Sequence, residues 1–271
     1  MVKKPLAPGK AYTNQDYLLS SDARPLRILA EYMEPLGRFQ HYRIEDTIVF
    51  FGSARITSRD VAEAALSAAK DGNGDLRRAE QCHFLSQYYE ATRELARRLT
   101  EWSKNLTGSE RRFVVCSGGG PGIMEAANRG ASEAKGINVG LNISLPLEEG
   151  NNPHTTRELE FEFHYFFMRK FWFAYLAKAV VVMPGGFGTL DELFELLTLV
   201  QTKKITKHMP IVLFGTEYWN DVINFEALER YGSISPGDTD LLFQTDSVDQ
   251  AFDYITDQLN EYAMSSPGPS L

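Results

Sequence analysis

Short runs of wholly apolar residues that stop at glycine, serine or proline and then give way to helical periodicity recur along this chain. Thr47–Phe51 (TIVFF) ends at Gly52-Ser53, and Arg112–Cys116 (RFVVC) ends at Ser117-Gly118-Gly119-Gly120. Ala179–Met183 (AVVVM) ends at Pro184-Gly185-Gly186, and Pro210–Phe214 (PIVLF) is the last strand the pattern gives. Strands apolar on both faces are buried on both faces, which is how a parallel sheet covered by helices reads. The pattern therefore predicts an α/β fold: a single Rossmann-like, doubly wound parallel sheet with helices on both faces.

Weaker strands are expected at 138–143 and 159–163. Helices are expected over 58–70, 76–102, 168–178, 218–231 and 248–262, with others beginning at Pro121 and Leu190. Residues 24–39 carry Leu26, Leu29, Tyr32, Met33 and Leu36 at helical spacing. They give an N-terminal helical extension, so 1–45 reads as arm and helix, 46–263 as the Rossmann-like domain and 264–271 as a disordered tail.

The 271 residues carry a net charge of −8. An acidic chain is a poor partner for polymeric nucleic acid, although a local cradle can still hold one phosphorylated small molecule. No apolar run reaches membrane-spanning length, and the first ten residues lack the apolar stretch of a secretory signal. Two cysteines, Cys82 and Cys116, and five scattered histidines give no disulfide framework and no metal-ligand spacing. The expected setting is the reducing cytoplasm, without metal, cofactor or membrane.

In a parallel sheet the small residues after each strand collect along one edge, where ligands bind. Gly52-Ser53, Ser117–Gly120 and Pro184–Thr189 would meet there, and free N–H groups at helix starts favour a phosphate. Two common phosphate grips fail. Gly-x-Gly-x-x-Gly breaks at Ile123 when begun at Gly118 and at Asp191 when begun at Gly186, and no P-loop lysine follows a glycine at the required spacing.

Pro184-Gly-Gly-Phe-Gly-Thr-Leu-Asp-Glu192 is similar to Pro-Gly-Gly-x-Gly-Thr-x-x-Glu, the hallmark of the LOG ("lonely guy") family of nucleoside 5′-monophosphate phosphoribohydrolases. Gly118-Gly-Gly-Pro-Gly-Ile-Met-Glu125, Phe51-Gly-Ser-Ala54 and Met168-Arg169-Lys170 resemble the family's other motifs, in order, over Thr47–Leu213. The N-terminal helix and residues 58–79 depart from the shortest family members. The resemblance implies hydrolysis of the N-glycosidic bond of AMP or a cytokinin-type riboside monophosphate to free base and ribose 5-phosphate, by a homodimer. It assigns catalysis to Glu192 and Arg169. It assigns substrate or phosphate contacts to Ser53, Gly118, Gly119, Gly120, Met168, Lys170, Gly185, Gly186, Gly188 and Thr189. The preferred base is left open, as is whether Glu192 acts as base or as electrostatic stabiliser. A non-catalytic nucleotide-binding or sensing module on the same fold is the alternative. Related sequences are also labelled lysine decarboxylases, yet nothing here marks a lysine for a pyridoxal Schiff base.

Each residue also has a plainer reading. Thr189-Leu-Asp-Glu192 has the spacing of a capping box, in which Glu192 would only bond back to the helix start. Arg169 could be a surface ion pair. Phe166, Phe167, Phe171 and Trp172 are expected in the core. Cys116 reads as a small buried residue and not a nucleophile.

Overall fold

The computed structural model describes residues 9–106, 108, 110–144 and 152–269. In chain order the helices and strands are α1 (Gln15–Leu18), α2 (Arg24–His41), β1 (Thr47–Phe51), α3 (Arg59–Lys70), α4 (Leu76–Lys104), β2 (Val114–Ser117), α5 (Ile123–Glu133) and β3 (Val139–Ile143). They continue with β4 (Glu160–Phe163), α6 (Phe166–Leu176), β5 (Ala177–Val182), α7 (Phe187–Gln201), β6 (Ile211–Phe214), α8 (Thr216–Val222), α9 (Phe225–Arg230), β7 (Leu242–Thr245) and α10 (Val248–Tyr262).

Seven strands form one sheet in the order β4-β3-β2-β1-β5-β6-β7, and every pairing is parallel. Successive residues of one strand serve opposite cores. Val49 and Phe51 of β1 face a cluster with Phe39, Trp172, Phe173 and Leu193, so α2, α6 and α7 cover that side. Ile48 and Phe50 face Tyr89, Leu99, Ile123 and Ile255, so α4, α5 and α10 cover the other. The doubly wound sheet expected from the apolar runs is the observed fold.

Three local readings are corrected. The sheet extends one strand past PIVLF, to β7. Its LFQT sequence is only half-buried at an edge and lacks the apolar run that marks a central strand. The helix expected at 168–178 runs from Phe166 to Leu176, and β5 begins at the next residue with no intervening loop. The helix placed at Pro121 begins at Ile123, behind Gly122 at φ +71°. A Cβ at Gly122 would collide with the Ser53 carbonyl, which is why glycine stands there.

The N-terminal helix is docked on the sheet's α6 side. The Glu31 carboxylate accepts the His164 and Tyr165 N–H groups at the start of α6, and Trp172 Nε1 donates to the Glu31 carbonyl. Tyr32 stacks on Trp172. The tail expected to be disordered is described as far as Pro269, and Gly268 there is buried with its N–H on the Asp46 carboxylate. Asp46 also pairs with Arg112 and, at 3.7 Å, with Lys178.

Candidate active site

The strand order turns back between β1 and β5, so the loops leaving these neighbours diverge and open a crevice at the carboxyl edge. Ser53 N–H donates to the Pro184 carbonyl at 3.0 Å, and Met183 N–H to the Phe51 carbonyl at 2.8 Å, which locks the two loops together. Above them lies a cavity of about 1180 Å³. Its wall includes Ser53, Gly118, Gly120, Arg169, Gly185, Gly186, Gly188, Thr189 and Glu192. Most of the residues singled out by sequence are thus brought together.

Helix α7 starts at Phe187 with Gly186 as its N-cap and no capping side chain. Its first N–H groups face the cavity end where a phosphate would be favoured. The capping-box reading of Thr189 and Glu192 therefore fails. Thr189 lies inside the first turn, and Glu192 lies a turn further in, too deep to bond back to the helix start. Both side chains are buried, on the face of α7 turned toward the sheet. Tyr218 Oη donates to the Gly185 carbonyl at 2.6 Å and holds the turn before α7.

Glu192 meets Arg169 of α6 at 3.5 Å. The guanidinium is 16% exposed and lies over the Phe166 and Phe173 rings, so it is no solvated surface charge. Burial pushes the Glu192 carboxyl up to about 7, against the lowering influence of Arg169 and then Lys170. A carboxyl so poised exchanges a proton near neutrality, and a neighbouring guanidinium can hold an anion.

The triple glycine is backed by a buried amide network. Ser117 Oγ donates to Asn128 Oδ1 at 2.6 Å, and Asn128 Nδ2 donates to Asn138 Oδ1 and the Val139 carbonyl. Asn152 N–H donates to the Gly119 carbonyl and its amide to the Gly120 carbonyl. Gly119, at φ +71°, shapes the turn without lining the cavity. Isolated asparagines carry no periodic signal, so this network is not legible in the sequence.

Two predicted contacts lie elsewhere. Met168 is buried in the core beneath α6. Lys170 points away from the cavity and pairs with Asp191 at 2.8 Å and Glu195 at 2.7 Å, one helical step round from Arg169. The aromatics of α6 divide likewise: Trp172 is buried, whereas Phe166 and Phe167 are 48% and 54% exposed and not in the core. Cys116 is buried, and burial pushes its thiol pKa up, as befits an inert packing residue. Wall residues passed over in the sequence include Arg55, Asn142, Ser144, Glu162 and Tyr218. They stand on loops and strand ends whose spacing matches no motif.

A protein-family model described as possible lysine decarboxylase matches residues 124–255. The probable cytokinin riboside 5′-monophosphate phosphoribohydrolase LOGL3 of Oryza sativa subsp. japonica is 32% identical over 97 residues, 35% of this chain and 43% of that relative. Among solved structures, the structural-genomics target TM1055 aligns with TM-score 0.46 and 23% identity over 78% of this chain and 99% of its own. The Moco carrier protein of Chlamydomonas reinhardtii aligns with TM-score 0.46 and 20% identity over 80% and 99%. The described cavity wall holds two arginines and no lysine, so it does not fit a pyridoxal Schiff base. Among the described residues no cluster of metal-ligating side chains occurs, and no helix is long and apolar enough to cross a membrane. By the family-model match over residues 124–255, the curated relative and the intact Pro184–Glu192 motif, this chain resembles the LOG, lysine-decarboxylase-like, family, and it spans less than half the length of that curated relative.

Proposed function

We propose that the protein hydrolyses the N-glycosidic bond of a nucleoside 5′-monophosphate, AMP or a cytokinin-type riboside monophosphate, to free base and ribose 5-phosphate. The observation that carries this reading is the buried Glu192–Arg169 pair in the wall of a cavity whose adjacent loops present uncapped helix N–H groups. The phosphate sits on the backbone of Gly185–Thr189 with Ser53 beside it. The sugar then lies over Glu192. As the C1′–N bond breaks, positive charge grows on the sugar, and the Glu192 carboxylate stabilises it. The same carboxylate takes a proton from the attacking water as the C1′–O bond forms. The base nitrogen receives the bonding pair and a proton, so one water is consumed per bond broken. Arg169 holds the carboxylate in place and offsets negative charge on the departing base.

Phe187, 93% exposed, and the exposed Phe166, Phe167 and Phe194 gather on α6 and α7, where a second copy would cover them to form a homodimer. Two free cysteines suit the cytoplasm. The testing experiment is chromatography of nucleoside monophosphates incubated with the protein. Free base and ribose 5-phosphate in equal amounts support the proposal, and intact nucleotide across the panel overturns it.

A further inference from the structure

The cavity holds a second carboxylate that no family motif contains. Glu162 of β4 lines it together with Ser144, the residue after β3, and Ser144 Oγ donates to Glu162 Oε1 at 2.7 Å. The two strands are paired in parallel with Asn142 opposite Glu162, so Ser144, two residues beyond Asn142, lies diagonally from Glu162 on the same face. Their position matters more than their identity. The phosphate cradle follows β1 and β5, whereas β4 is the sheet's far edge. Three strand spacings, about 14 Å, separate β1 from β4. The same cavity reaches both the cradle and this edge, so it has room for a nucleotide with its phosphate on the cradle and its base toward Glu162.

We propose that Glu162, oriented by Ser144, is the specificity-determining residue for the base and selects bases that carry an exocyclic amino group. The inference rests on the nucleotide reading above. With one carboxylate oxygen held by the serine hydroxyl, the other has lone pairs to offer and no proton to give. An amino group donates to it, and a bare ring edge offers it no hydrogen bond. A site built around such a hydrogen bond discriminates against the analogue that lacks the donor.

Two substrate pairs isolate one amino group each: AMP against purine riboside 5′-monophosphate, and GMP against IMP. The wild-type protein should favour the amino-bearing member of at least one pair by about tenfold or more in kcat/KM. Glu162→Gln, whose fold is checked by melting temperature, should bring that ratio close to one. A ratio near one for both pairs in the wild type, or an undiminished ratio in the variant, overturns the proposal. Calorimetric binding of the same four nucleotides separates the two claims. A Glu162-dependent preference in binding without hydrolysis would uphold base selection and sink the hydrolase. Hydrolysis of all four nucleotides without such a preference would do the reverse.

Discussion

The Glu192 carboxylate lies 3.5 Å from the Arg169 guanidinium, each on a separate helix and both over the point where the strand order reverses. Both groups are largely buried, which strengthens the interaction between them. Glu192→Gln keeps the shape and removes the charge. Turnover should fall about a hundredfold or more, with a much smaller change in nucleotide affinity, because the lost interaction matters chiefly in the transition state. Arg169→Lys loses the planar fork and should also slow turnover. Steady-state kinetics with calorimetry on each variant checks both, and a normal kcat for Glu192→Gln would remove Glu192 from the chemistry.

The carboxyl of Glu192 gives this pair a pH signature. Its folded-state pKa of about 7 lies above the ordinary 4.5, because burial disfavours the charged form. The folded protein therefore holds a proton that the unfolded chain has already released, and the wild type loses stability as pH rises from 4.5 through 7. Glu192→Gln escapes that loss. Its melting temperature should match the wild type near pH 4.5 and exceed it at pH 8, by the equivalent of a few kcal/mol. Turnover by the wild type should rise with pH and level off above 7, as the carboxylate form accumulates. Parallel melting curves and a pH–rate profile measure both effects.

Gly186 tests the phosphate cradle without disturbing the fold. A Cβ there meets no atom within 4 Å, so Gly186→Val should melt close to the wild type. The added side chain would stand at the start of α7, where the phosphate must approach the backbone. Binding of ribose 5-phosphate by calorimetry should drop below detection. Unchanged affinity would move the phosphate site elsewhere.

Asn128 carries a prediction about stability. It is fully buried and links Ser117, Asn138 and Asn152 behind the glycine turn. Asn128→Ala strands several buried polar groups at once and should cost about 3 kcal/mol, a fall of several degrees in melting temperature. A variant that melts like the wild type would mean that the network relaxes without loss.

The homodimer is tested by charge placed on the exposed aromatic face. Phe194→Asp, 39% exposed on α7, should leave the melting temperature of the monomer unit intact while shifting the light-scattering mass from two chains to one. A wild-type protein of monomer mass would remove the dimer from the reading.

The sequence by itself determined the sheet and its edge. Apolar runs such as TIVFF and AVVVM could be buried only as central strands, and the glycines after them could serve only where backbone turns tightly or meets a ligand. Linear spacing, however, gives a residue's helical face only once the helix start is known. Thr189 to Glu192 spells a capping box, and only the position of Gly186 as N-cap turned Glu192 inward. Arg169 and Lys170 are adjacent in sequence, yet the packing of α6 on β1 sent one into the cavity and the other to Asp191 and Glu195. The tertiary structure alone decided what stands opposite what. The pairing of β3 with β4 brought Ser144 to Glu162 across 18 positions, and the buried amides that brace the glycine turn come from segments with no shared period. Such contacts follow from three-dimensional proximity, which burial and strand order create and which local pattern does not encode.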